Sequence, residues 1–85
     1  MKFLIIDDSP TMRRILRVGI EKSLGKGTII LEAENGEEGL KTLQTNPDID
    51  YTFLDINMPV MKGDKMLEIV RKDPSLRHHK IIIQT

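Results

Sequence analysis

The chain has 85 residues, 39% hydrophobic and 31% charged, a composition that fits one small globular domain spanning residues 1–85. Its 13 basic and 13 acidic residues give a formal net charge of zero, so no overall field draws it to nucleic acid or an anionic membrane. It has no cysteine, as suits a reducing compartment, and its start, MKFLIIDD, is typical of neither a signal peptide nor a membrane span. We therefore expect a cytoplasmic segment that binds neither nucleic acid nor membrane.

The first two predicted elements are a strand and a helix. The apolar run from Lys2 to Asp7 does not alternate with polar residues, which predicts a strand buried on both faces, as in parallel sheets. Ser9 as N-cap and Pro10 at the next position predict a helix that ends before Gly25.

The same alternation continues along the chain. A second strand is predicted over 28–33, and Asn35 with Glu38 resembles a capping box that opens a second helix, which closes at Asn46-Pro47. The remaining predicted elements are a strand over Tyr51–Asp55, a helix around Asp64–Lys72 and a strand over Lys80–Gln84. Strands alternating with helices predict right-handed crossovers, a parallel sheet and helices over both of its faces.

Oxygen-bearing side chains follow three of the predicted strands. Asp7 and Asp8 end the first strand, Asp55 ends the third and Thr85 follows the fourth. Because the carboxyl ends of parallel strands lie at one edge, these side chains are expected to share it. Such a cluster suits Mg²⁺ better than zinc, which prefers nitrogen and sulfur ligands. An aspartate beside such an ion could also attack phosphorus and form an acyl phosphate.

Four segments together carry a family resemblance over nearly the whole chain. They are FLIIDDSPTMRRILR, LEAENGEEGL, FLDINMPVMKG and IIIQT, and they resemble the receiver domain of bacterial response regulators, nearest the chemotaxis type. The resemblance implies a flavodoxin-like, doubly wound parallel α/β sheet of strand order 2-1-3-4, with a ligand crevice between strands one and three.

The resemblance also implies a role in two-component signalling. Asp55 would accept a phosphoryl group from a histidine kinase, and Asp7, Asp8, Asp55 and the Asn57 backbone carbonyl would hold Mg²⁺. Thr85 would be the switch hydroxyl. The partners would be that kinase and a downstream protein target or output domain. The chain would be a signalling receiver that catalyses only its own phosphorylation and dephosphorylation.

The sequence also departs from the family pattern. Receivers normally continue through a fourth helix, a fifth strand bearing a lysine that pairs with the phosphoryl group, and a fifth helix, whereas this sequence stops at Thr85. The expectation is the N-terminal part of a single receiver domain, truncated after strand four and impaired in function. Apolar side chains on strands three and four would lack cover, which favours self-association or a missing C-terminal part.

Three alternatives remain open from the sequence. A Mg²⁺-dependent phosphatase of haloacid-dehalogenase type also uses a strand-end aspartate, but its signature is D-x-D, whereas Asp7 and Asp8 are adjacent. A flavodoxin-type nucleotide or flavin binder is less suitable, because two carboxylates would repel phosphate. Half of a (β/α)₈ barrel would place the same residues on its rim.

Two further groups of charged or titratable residues have ordinary interpretations. Arg13, Arg14 and Arg17 are expected to form a solvated basic face of the first helix. His78 and His79 are expected to be surface residues, since no third metal ligand lies near them in the sequence.

Overall fold

The computed structural model describes residues 1–25, 27–55 and 63–84. These ranges contain four strands and three helices that alternate along the chain. The strands are β1 (Lys2–Ile6), β2 (Ile29–Ala33), β3 (Tyr51–Asp55) and β4 (Lys80–Gln84); the helices are α1 (Pro10–Leu24), α2 (Gly36–Thr45) and α3 (Gly63–Lys72). No helix in the described ranges is long and apolar enough to cross a membrane. The predicted elements are therefore present, with bounds that differ by at most one residue.

The four strands form one parallel sheet in the order β2-β1-β3-β4, which confirms the predicted fold class and strand order. Ile6, the last residue of β1, pairs with Ala33 of β2 and with Leu54 of β3. Because β1 lies between β2 and β3, the residues that follow it are flanked by the ends of both neighbours.

The side chains of β1 are buried alternately on the two faces of the sheet. Leu4 and Ile6 belong to the larger core, which α2 and α3 cover, whereas Phe3 and Ile5 belong to a smaller core beneath α1. Ile5 is fully buried. The prediction of a strand covered on both faces is confirmed, because the residues from Phe3 to Ile6 are all buried and contribute alternately to the two cores.

Side-chain caps begin two of the helices. The Ser9 hydroxyl oxygen accepts a hydrogen bond from the Met12 N–H at 3.2 Å, and Pro10 occupies the first helical turn. The Asn35 side-chain oxygen accepts a hydrogen bond from the Glu38 N–H at 2.8 Å. These caps place the starts of α1 and α2 close after the ends of β1 and β2.

Among the described residues, part of the apolar surface of the sheet is exposed on β4 and on the side of α1. Ile82 and Ile83 on β4 are 43% and 49% exposed. On the α1 side, a groove of about 430 Å³ is lined by residues that include Phe3, Leu16 and Phe53. This exposure agrees with the expectation that apolar side chains on strands three and four lack cover. Self-association of the chain stays a prediction.

The interpretation of His79 as a surface residue is wrong. Its side chain is half-buried, and its Nε2 lies 2.8 Å from the hydroxyl oxygen of Thr52, which is fully buried in β3. Burial and, secondarily, the nearby Arg71 guanidinium lower the pKa of His79, while Asp50 opposes them. Its neighbour His78 is exposed, as expected.

The stability of the chain is expected to fall as the pH drops below about 7.5, through the ordinary histidine pKa of about 6.5 and towards the lower pKa of folded His79. Because the pKa of His79 is lower in the folded chain, the unfolded chain binds the proton first as the pH falls, which favours unfolding. Urea unfolding should therefore show a weaker pH dependence in His79→Gln, whereas His78→Gln should behave as the wild type. An unchanged pH dependence in His79→Gln would contradict the coupling.

Candidate metal centre

Three aspartates lie at the carboxyl ends of the two central strands. Asp7 follows Ile6, and Asp55 follows Leu54, the partner of Ile6 in β3, so the two acids continue a paired register. Each of Asp7, Asp8 and Asp55 offers a carboxylate oxygen, and these oxygens lie within 4.8 Å of one another. Parallel pairing of β1 with β3 thus brings together acids that are 48 residues apart in sequence.

Asp7 is the most enclosed of the three acids, with 6% of the residue exposed. Its Oδ1 accepts a hydrogen bond from the Ser9 N–H at 2.9 Å, and its own N–H donates to the Ala33 carbonyl at 3.1 Å. Burial raises the pKa of Asp7, as do the charges of Asp55 and Asp8, and the Ser9 N–H opposes them. A cation beside Asp7 would relieve both the repulsion and the lost hydration.

The other two acids are more accessible than Asp7. Asp8 is exposed and Asp55 is half-buried. Access from solvent lets an ion and a second reactant reach the cluster, while Asp7 anchors it at the sheet. The arrangement therefore combines a held carboxylate with two that an incoming group can approach.

The donor set fits a hard divalent cation. All three side chains offer carboxylate oxygens, and their separation of at most 4.8 Å is comparable with the spacing of about 4.2 Å between opposite ligands of octahedral Mg²⁺. Mg²⁺ is typically held by one or two carboxylates together with waters and phosphate oxygens. The residues present therefore fit Mg²⁺ and leave coordination positions for a phosphoryl group.

Two predicted site residues, Asn57 and Thr85, lie outside the described residues. The structure brings together Asp7, Asp8 and Asp55, as the parallel sheet led us to expect.

Sequence reasoning missed the contact between Arg13 and the site. The expectation of a solvated basic face is wrong for Arg13, whose side chain is 14% exposed. Its Nη1 donates to the Asp7 backbone oxygen at 2.6 Å, and its Nε donates to Glu32 Oε1 at 2.9 Å. Arg17 also binds Glu32, whereas Arg14 is exposed as expected. The sequence does offer one signal for these contacts. Arg13 and Arg17 are four residues apart, which places them on one face of the helix, and the next strand carries an acid, Glu32.

Two arginines share the Glu32 carboxylate. Arg17 donates to Oε2 from Nε at 2.9 Å and from Nη2 at 2.7 Å, while Arg13 binds Oε1. The hydrogen bond from Arg17 is the largest effect and lowers the pKa of Glu32. Burial opposes it, and the hydrogen bond from Arg13 and the charges of both arginines lower the pKa further. Glu32 therefore stays ionised at neutral pH and ties α1 to β2.

Comparison with known proteins identifies a family. The sequence model described as "Response regulator receiver domain" matches residues 3–85. The chemotaxis protein CheY1 of Helicobacter pylori is 40% identical over 85 residues, which are all of this chain and 67% of that protein. The chemotaxis protein CheY of Pseudomonas aeruginosa is 39% identical, and the match covers all of this chain and 66% of that protein. The chain thus spans about two thirds of these relatives.

Solved structures show the same relationship. The N-terminal domain of a response regulator receiver protein from Methanoculleus marisnigri superposes with a TM-score of 0.88 at 32% identity, covering 99% of this chain and 65% of that one. The response regulator TrrA from Thermotoga maritima, solved in complex with Mg²⁺-BeF, gives a TM-score of 0.83 at 34% identity. The match covers 96% of this chain and 66% of that one.

Proposed function

Since the chain belongs to the response regulator receiver domain family, we propose that it takes a phosphoryl group from a histidine kinase onto Asp55 and thereby changes its binding of a downstream partner. The observation that carries this proposal is the convergence of Asp7, Asp8 and Asp55 at the carboxyl end of β1 and β3. That edge is where open α/β sheets bind ligands.

The proposed reaction is a transfer between two nucleophiles. A carboxylate oxygen of Asp55 attacks the phosphorus, a new P–O bond forms, and the P–N bond to the kinase imidazole breaks with its electron pair remaining on nitrogen. Asp7 and Asp8, together with Asp55, would hold Mg²⁺. The ion supplies positive charge that offsets repulsion between the incoming phosphoryl oxygens and the carboxylates. The related TrrA was solved in complex with Mg²⁺-BeF, which supports Mg²⁺ as the ion.

The remaining parts of the proposal concern residues and partners outside the described structure. The Asn57 backbone carbonyl would complete the metal site, and the Thr85 hydroxyl would respond to the phosphoryl group. The domain would act in the cytoplasm and catalyse only its own phosphorylation and dephosphorylation. The comparisons give the receiver family and no support for a haloacid-dehalogenase-type phosphatase.

The proposal predicts a Mg²⁺-dependent acyl phosphate. In the full natural polypeptide, acetyl phosphate with Mg²⁺ should add one phosphoryl group to the intact mass. The reaction should need Mg²⁺, because the carboxylates without the ion would repel the negatively charged donor. A chelator should suppress the labelling, and hydroxylamine should release the label, since it cleaves acyl phosphates. Labelling that persists after the metal is removed, or that resists hydroxylamine, would contradict the proposal.

A further inference from the structure

Arg13 contacts the peptide unit that joins two of the proposed metal ligands. Its Nη1 donates to the backbone oxygen of Asp7 at 2.6 Å, and this carbonyl belongs to the peptide bond between Asp7 and Asp8. A peptide unit is planar, so its oxygen, the Cα of Asp7 and the Cα of Asp8 move together. A charged donor on this oxygen therefore restrains the backbone positions from which both carboxylates project.

The other side of Asp7 is also tied to the fold. The Asp7 N–H donates to the Ala33 carbonyl at 3.1 Å, and the Asp7 Oδ1 accepts from the Ser9 N–H at 2.9 Å. The first bond holds the peptide that precedes Asp7, and the second holds the Asp7 carboxylate. The Arg13 contact adds a restraint on the following peptide, which leads to the exposed Asp8.

Glu32 holds the Arg13 guanidinium from the neighbouring strand. Arg13 Nε donates to Glu32 Oε1 at 2.9 Å, while Arg17 donates to Glu32 Oε2 and, at 3.1 Å, to the Ile30 carbonyl. Glu32 on β2 thus offsets part of the positive charge of the two arginines. Because the hydrogen bond from Arg13 Nη1 goes to the backbone oxygen of Asp7, it does not use a carboxylate oxygen that a cation could bind.

We propose that Arg13 is a positioning residue for the divalent-metal site, orienting the Asp7–Asp8 peptide so that both carboxylates face the ion. This inference rests on the proposed function, because it takes Asp7 and Asp8 as metal ligands. Groups that orient metal ligands from outside the coordination sphere commonly change metal affinity by about 10- to 100-fold when they are replaced. Arg13 acts at the backbone of two such ligands.

The test is a Mg²⁺ titration of the full natural polypeptide followed by NMR. Arg13→Gln should weaken binding about tenfold, since its shorter amide cannot bridge the Asp7 oxygen and Glu32. Arg17→Gln is the matched control: it also loses bonds to Glu32 but leaves the contact with Asp7 intact, so its affinity should stay within about twofold of wild type.

Two readouts separate positioning from general stabilisation. Without metal, the Asp8 amide resonance, which belongs to the same peptide as the Asp7 oxygen, should shift in Arg13→Gln and not in Arg17→Gln. Urea unfolding of both variants measures their stability independently. The inference would be overturned if Arg13→Gln bound Mg²⁺ with wild-type affinity. It would also be overturned if both variants lost Mg²⁺ affinity in proportion to their loss of stability.

Two further variants complete the experiment. Arg13→Lys keeps a cation that reaches one acceptor at a time, so we expect a smaller loss than in Arg13→Gln. If Arg13→Gln does not fold, wild-type affinity in Arg13→Lys overturns the inference. Asp8→Asn should lose most Mg²⁺ binding. Unchanged Mg²⁺ binding in Asp8→Asn refutes the metal site itself. If Asp8→Asn loses Mg²⁺ binding while Arg13→Gln binds Mg²⁺ as the wild type does, only the role of Arg13 is refuted.

Discussion

Replacing Asp55 with asparagine is expected to abolish phosphorylation of the full natural polypeptide by acetyl phosphate with Mg²⁺. The amide has no carboxylate oxygen to attack phosphorus, although it has nearly the same shape. Intact-mass spectrometry after labelling should show only unmodified Asp55→Asn protein under conditions that label the wild type. A persistent phosphoryl group in the variant would show that another residue accepts it.

Two other aspartates serve as controls for this prediction. Asp64 is exposed in the first turn of α3, so Asp64→Asn should be labelled like the wild type. Asp8→Asn keeps Asp55 but removes a proposed metal ligand, so its labelling should be slower and should still occur at Asp55. Together they distinguish loss of the phosphoryl acceptor from loss of any acidic residue.

The same Asp55 variant should be more stable than the wild type without Mg²⁺. In the wild type a carboxylate oxygen of Asp55 lies within 4.8 Å of one from Asp7 and one from Asp8, and relief of the repulsion between such accessible acids is worth about 1 kcal/mol. Urea unfolding in a chelator should show the gain, and added Mg²⁺ should reduce the difference because the ion stabilises the wild type more. Lower stability of Asp55→Asn in the chelator would contradict this account of the cluster.

The second large effect is expected from alanine at Gly39 in α2. A Cβ there would lie 2.8 Å from Cγ1 of Ile6 and closer still to its Cδ1, and Ile6 is only 1% exposed. Its buried side chain has little space to move, so Gly39→Ala should lose about 1 to 3 kcal/mol of stability even though alanine favours helix formation.

Gly19 in α1 provides the matched control for Gly39. A Cβ at Gly19 meets no atom within 4 Å, so Gly19→Ala should gain about 0.5 to 1 kcal/mol from helix propensity alone. The same substitution in two helices should therefore differ by about 1.5 to 4 kcal/mol in the free energy of unfolding. Equal effects in urea unfolding would show that α2 moves away from β1 without cost.

A double mutant can test whether Ile6 causes the loss at Gly39. Ile6→Val removes Cδ1, the atom nearest the added Cβ, so the combined variant should lose less stability than the sum of the two single changes. Additive losses would place the cause elsewhere. Because Ile6 directly precedes Asp7, a shift of Ile6 in Gly39→Ala should also weaken Mg²⁺ binding.

The sequence by itself determined the order and kind of the elements. The unbroken apolar run of β1, the Ser9 and Asn35 caps and the alternation of strands with helices depend on neighbouring residues, which can be recognised without the fold. The family motifs supplied the strand order. Parallel strands then place Asp7, Asp8 and Asp55 at one edge, so their proximity could also be predicted.

Only the tertiary structure decided which side chains meet across the fold. It buries Asp7, whose carboxylate accepts a hydrogen bond from the Ser9 N–H, and exposes Asp8, although the two are adjacent and identical. It directs Arg13 to the Asp7 carbonyl, and places His79 beside Thr52, 27 residues earlier. Such contacts depend on how α1, β3 and β4 pack, and local sequence preferences do not encode the distances between elements that packing brings together.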